Sequence, residues 1–132
     1  GINIDKIKII DAGNGNEMDR KYRDGTGQFI HQQGPSPQQL EADGVGYVVA
    51  ALGPVIGACG FSSLAAKPEW LETEEAKAFT RAYVKTRNYI NDTPANEIAK
   101  AEKPLFPSIN ENVLADCIKT YQKMGAPFNN RR

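Results

Sequence analysis

Two spacings of hydrophobic and polar positions follow one another along the chain, and the change between them falls near residue 66. Before it, apolar residues come in short β-branched or aromatic runs set between glycine-rich turns, the pattern of strands. Ile7, Ile9 and Ile10 make the first run, residues 28–31 the second, residues 47–52 the third, and residues 61–66 a fourth candidate. Helical signals lie between the runs. Asn14 and Glu17 stand three apart as in a capping box, Met18 and Tyr22 share a helical face, and Gly25 ends the segment. Ser36 as a cap, Pro37 at the first helical position and Gln39 three residues after the cap predict a second helix running to Asp43 and ended by Gly44.

After residue 66 the spacing becomes helical. Thr73 opens a helix with Glu74 and Glu75 in its first turn, and Ala76, Phe79, Tyr83 and Ile90 predict its buried stripe. Thr93 and Pro94 start another helix to about Lys103. Ser108 and Glu111 form a capping-box pair ahead of Val113, Leu114, Cys117, Ile118 and Tyr121, closing at Gly125. The order β-α-β-α-β-β followed by three helices predicts the α/β class, a layered sheet with a C-terminal helical segment.

Composition narrows the function. The 132 residues carry 16 basic and 16 acidic side chains, a formal net charge of zero. Such a balance offers no broad cationic field for phosphates, so nucleic acid is not an expected partner. The least charged stretch, residues 45–67, is broken by Gly46, Gly53, Pro54, Gly57 and Gly60 and does not read as a membrane span. Residues 1–12 carry Asp5, Lys6, Lys8 and Asp11 and do not read as a signal peptide. Cys59, Cys117 and the single His31 are far apart in sequence, too few and too scattered for a zinc or iron–sulfur site, so neither a metal nor another cofactor is expected. A disulfide between the two cysteines and a buried apolar role for each stay open.

Two strand-to-helix turns are candidate binding loops, because ligands of open α/β sheets sit where helix N-termini present unpaired N–H groups. The first holds Gly13, Asn14 and Asn16; the second holds His31, Gln32 and Gln33. A cap-and-turn role explains the first as well as a binding role does, and a solvated loop explains the second. A dinucleotide fingerprint fails, since Met18 stands at the third glycine position and Gln32 and Gln33 where a ribose-binding acid is required. No catalytic residue is assigned, and Glu74 and Glu75 read as dipole-complementing charges.

The stretch 11–18, Asp-Ala-Gly-Asn-Gly-Asn-Glu-Met, and the stretch 27–41, Gly-Gln-Phe-Ile-His-Gln-Gln-Gly-Pro-Ser-Pro-Gln-Gln-Leu-Glu, resemble the middle of substrate-binding proteins of ABC importers. The nearest class is that for nitrate, sulfonate, taurine and thiamine-pyrimidine precursors. Residues 61–65 resemble its crossover strand, and Glu69, Trp70, Leu71 and the helix after Thr73 its later helical section. The resemblance implies a partial, type II periplasmic-binding-protein three-layer sheet, with residues 1–58 in one α/β lobe and residues 59–132 as crossover strand and helices of the other. Members of that family are usually longer, so it also implies a C-terminal fragment. It implies no enzymatic activity, capture of a small polar, anionic or heteroaromatic ligand in an inter-lobe cleft by Gly13, Asn14, Asn16, His31, Gln32 and Gln33, and delivery to a membrane permease. The expected location is periplasmic or extracellular, membrane-associated in the parent protein. The excess of apolar helical surface over sheet predicts a homo-oligomer whose interface includes the helices after Thr73. Two rival readings are a regulatory sensor of the same fold and a thiamine-pyrimidine synthase-like enzyme, the latter weakened by the absence of that enzyme's cysteine-rich run.

Overall fold

The computed structural model describes residues 3–57 and 63–125. It divides into two compact units, Gly1–Tyr47 and Val48–Arg132. The first holds helices α1 (Gly15–Arg23) and α2 (Ser36–Ala42). The second holds α3 (Gly53–Ile56), α4 (Pro68–Leu71), α5 (Glu74–Asp92), α6 (Ala95–Glu102) and α7 (Glu111–Met124). Short 3-10 turns lie at Ile4–Lys6 and Lys103–Leu105. Among the described residues no helix is long and apolar enough to cross a membrane.

The expected α/β class is overturned: among the described residues there is no β-strand, hence no three-layer sheet. A β-branched run becomes a strand only when a neighbour supplies the inter-strand ladder, and residues 7–10, 28–31 and 47–52 have none. Their side chains remain open to solvent, with Ile9 at 77%, Phe29 at 81% and Tyr47 at 83% exposure. Leu52, expected to end a strand, instead precedes the single turn α3, which has proline in its first positions. Residues 63–66 form no strand, while Cys59, Phe61 and Ser62 lie outside the described residues.

Helices form where the sequence places them, with shifted caps. Pro35, not Ser36, precedes α2, and the Gly34–Pro35 peptide is cis. Asn110, not Ser108, caps α7, its side-chain oxygen accepting from the Asn112 N–H at 2.8 Å. Gly125 closes α7 in the left-handed conformation (φ 64°), which glycine adopts without a Cβ penalty. Thr73 joins α4 to α5: its hydroxyl donates to the Trp70 carbonyl at 2.7 Å and accepts from the Ala76 N–H at 3.2 Å.

In the second unit, α6 and α7 pair as a helical hairpin around Ile98, Ala99, Val113, Leu114 and Cys117, all buried. Two side chains hold its ends. The Lys103 ammonium donates to the carbonyls of Phe106 (3.3 Å), Pro107 (2.9 Å) and Ile109 (2.6 Å), gathering the loop before α7. The Gln122 amide donates to the carbonyls of Ile90 (2.6 Å) and Thr93 (3.0 Å), fixing the end of α5 against α7. Cys117 is a free thiol, and burial, aided by the Glu102 charge, pushes its pKa up, which keeps it protonated. The stripe expected on α5 is only partly covered. Ala76 is buried and Ile90 half-buried, but Phe79 and Tyr83 are each 46% exposed.

Ile98 is the largest fully buried side chain in the hairpin. Ile98→Ala should lower stability by about 2–5 kcal/mol, read as a fall in urea midpoint at constant slope. Gln122→Leu, which strips two carbonyls of their donor, should cost about 1–3 kcal/mol. Unchanged midpoints for both would mean the hairpin is not the stabilising centre of its unit.

Candidate functional site

The loop before α1, residues 11–14, folds around its own backbone amides. Asp11 Oδ1 accepts from the Gly13 N–H at 3.1 Å, and Gly13 turns with φ 93°. Asn14 Oδ1 then accepts from the N–H groups of Asn16 (3.0 Å) and Glu17 (3.1 Å), while Glu17 Oε2 accepts from the Asn14 N–H at 3.0 Å. This is the full reciprocal capping box that the Asn14–Glu17 spacing predicts. Gly13 stands in the left-handed region that favours glycine, and an added Cβ there would displace the Glu17 carboxylate from its bond to the Asn14 N–H. The carboxylate thus sits against the positive end of the α1 dipole, while Arg20, Lys21 and Arg23 occupy its last turn.

Of the second candidate loop, Gln32 is brought to this same place. Its amide donates to the Gly15 carbonyl at 2.6 Å, so residues 13–16 and Gln32 form one cluster. Gln33 lies in the turn before α2, its carbonyl accepting from the Ser36 N–H at 3.2 Å, and its side chain is exposed. His31 is also exposed, one residue from the Gln32 contact. The six expected site residues therefore divide by role. Gly13, Asn14 and Gln32 build the loop, whereas Asn16, His31 and Gln33 are exposed.

A second set of contacts went unread in the sequence. Arg23 donates through Nε to Asp19 and through a terminal nitrogen to Asp43, both at 2.8 Å, and Gln39 donates to the other Asp43 oxygen at 2.8 Å. These bonds tie α1 to the end of α2. The Arg23 guanidinium, then the Gln39 amide, hold the Asp43 carboxyl below its ordinary value. The Asp19–Arg23 spacing of four was a legible signal; the reach to Asp43 was not. Tyr22 closes over Gly46, where an added Cβ would stand 2.7 Å from its hydroxyl.

Chemically, the loop and the residues beside it carry exposed side-chain amides and one imidazole, groups suited to hydrogen-bonding a small polar group. Among the described residues no group of three or more His, Cys, Asp or Glu side chains is placed to hold a metal ion. In the second unit, Thr80, Arg81, Val84, Lys85 and Asn88 line a shallow, open depression along one face of α5.

The chain is 29% identical over 122 residues to a Bacillus subtilis (strain 168) protein named "Putative binding protein YtlA". That similarity covers 91% of this chain but only 36% of the relative, so the chain spans about a third of the length of the curated relative it matches. No family model matches the chain. No solved structure matches it.

Two outcomes follow from the geometry. Asn14→Ala, which removes the cap, should destabilise the first unit by about 0.5–2 kcal/mol, whereas Asn16→Ala should stay within about 0.5 kcal/mol. Equal effects in thermal melts would erase the division of roles. The second concerns acid. Because the folded-state pKa of Asp43 is depressed, its tie to Arg23 contributes stability above the ordinary aspartate value of 3.8 and loses it as pH falls through the lower folded value. An NMR titration should place the Asp43 midpoint below 3.8, and Arg23→Gln should return it toward that value. A midpoint at or above 3.8 would remove the ion pair from the account.

Proposed function

We propose that the chain is a ligand-binding segment of the solute-binding component of an ABC importer, working without catalysing a reaction. In this reading Asn16, His31 and Gln33 hydrogen-bond a small polar, anionic or heteroaromatic solute, on a platform made rigid by Gly13, Asn14 and Gln32. The parent protein captures the solute at the periplasmic or extracellular face of the membrane and passes it to a permease. The observation that carries the reading is the similarity of nine-tenths of the chain to a protein named as a binding protein. The cluster supports it in kind. A binding protein must hold and release its ligand, which calls for pre-organised hydrogen-bonding groups.

The test uses the full protein that carries this chain, with nitrate, taurine, an alkanesulfonate and an aminopyrimidine as probes. One of them should raise thermal stability, by about 2.7 kcal/mol at a hundredfold excess over its Kd. Asn16→Ala should then weaken that probe ~5- to 150-fold in calorimetry, corresponding to about 1–3 kcal/mol for a lost buried partner. No stabilisation by any of the four would refute this solute class, and full binding by the Asn16 variant would move the site elsewhere.

A further inference from the structure

The geometry points to a chemical modification site at Asn14 and Gly15: a deamidation site that the α1 capping box holds shut, so that Asn14 becomes aspartate or isoaspartate only as the cap opens. This is the one Asn-Gly pair in the sequence. An asparagine side chain is attacked by the backbone nitrogen of the residue after it, and glycine leaves that nitrogen least crowded. Both residues are exposed, and the Gly15 N–H makes no hydrogen bond among the described residues. The Gly15 nitrogen, losing its proton to solvent base, bonds to Asn14 Cγ; the Cγ–Nδ2 bond breaks and ammonia leaves, closing a cyclic imide. Water then opens the ring. Cleavage of the new N–Cγ bond gives aspartate, and cleavage of the original peptide bond to Gly15 gives isoaspartate, with the chain now running through Cγ. The net change converts an amide and a water into a carboxylate and ammonium, with nothing oxidised or reduced.

The bonds that start the helix are the ones that close this site. Ring closure requires Asn14 to turn about its Cα–C bond from the extended ψ of 171°, bringing the Gly15 nitrogen up to Cγ. That turn swings the Asn14 carbonyl away from the Met18 N–H, which donates to it at 2.9 Å. Cγ is pinned as well, because Oδ1 accepts from the N–H groups of Asn16 at 3.0 Å and Glu17 at 3.1 Å. Glu17 Oε2 holds the Asn14 N–H at 3.0 Å, and the Gln32 amide holds the Gly15 carbonyl at 2.6 Å. The peptide that reacts is thus tethered everywhere except at its nucleophile, and conversion proceeds through local opening of the cap. The two products act differently on the loop. Aspartate caps a helix as well as asparagine does, and its charge suits the N-terminal end. Isoaspartate adds a methylene to the main chain, so the reciprocal bonds between residues 14 and 17 lose their register. This chemistry is independent of the proposed binding role.

The test incubates the full protein that carries this chain at neutral pH, folded and in urea. Mass spectrometry follows the peptide holding residues 14 and 15, and an isoaspartate methyltransferase assay separates the two products. Asn14 should convert more slowly in the folded protein than in urea. Glu17→Ala, which removes the reciprocal bond, should speed conversion of the folded protein ~2- to 30-fold, the factor that corresponds to one side-chain cap bond. Glu17→Gln, which keeps an acceptor at that position, should stay within ~twofold of the native rate. Circular dichroism at matched helicity guards against misfolded variants. A folded protein that converts as fast as the unfolded one, or faster because the two N–H groups on Oδ1 activate the amide, would overturn the inference. So would a Glu17→Ala rate equal to the native rate, or conversion of another asparagine ahead of Asn14.

Discussion

Backbone groups at helix ends must find hydrogen-bond partners, and in this chain polar side chains supply those that matter most. An unpaired amide or carbonyl taken from water costs on the order of 1–3 kcal/mol, comparable to burying an aliphatic side chain. The described residues bury few large apolar groups, so such ties decide which conformation is kept. Asn14 and Glu17 satisfy the start of α1, and Gln32 then anchors the next loop on the Gly15 carbonyl. Lys103 gathers three carbonyls at the α6–α7 turn, and Gln122 takes the two left at the end of α5. Each tie spans a turn or joins two elements, so removing one loosens a junction rather than a single contact.

The same constraint separates what was legible in the sequence from what was not. Helix ends are local: Thr73 before Glu74, Asn14 three residues before Glu17 and Gly125 after Met124 can each be read within one turn of the chain, and the structure places caps there. Strands are not local. Ile7, Ile9, Ile10 and Phe29 have the composition of strands, but a ladder needs a partner that composition does not identify, and these residues stand exposed without one. The α/β expectation failed at that step, since β-branched residues express a preference for a packed, paired surface and not a backbone conformation of their own. Periodicity misled once more on α5, where Phe79 and Tyr83 have the spacing of a core stripe yet are each half-exposed.

Within the candidate site, type and position were readable but role was not. Asparagine beside glycine at a helix start signals both a cap and a ligand-facing amide, and only the bonds made by Asn14 Oδ1 assign it to the cap. Gln32 looked equivalent to Gln33, yet one reaches back seventeen residues to Gly15 while the other stays at the surface. The Arg23–Asp43 contact spans twenty residues, beyond any rule that works on neighbouring positions.

Satisfaction of the loop has a further consequence for how a ligand could be held. If the α1 N-terminus presented free N–H groups, it would attract an anion directly. Here the N–H groups of Asn14, Asn16 and Glu17 are already committed, and the Glu17 carboxylate supplies the negative charge that the dipole favours. A bound anion at that point would have to displace a tethered carboxylate and the capping box with it, losing two or three bonds to gain as many. A neutral or heteroaromatic group bonded to the outward amides of Asn16 and Gln33 meets no such competition. In the proposed binding role, the chemistry of the loop therefore favours recognition by exposed side-chain amides and the His31 ring over recognition by the helix end.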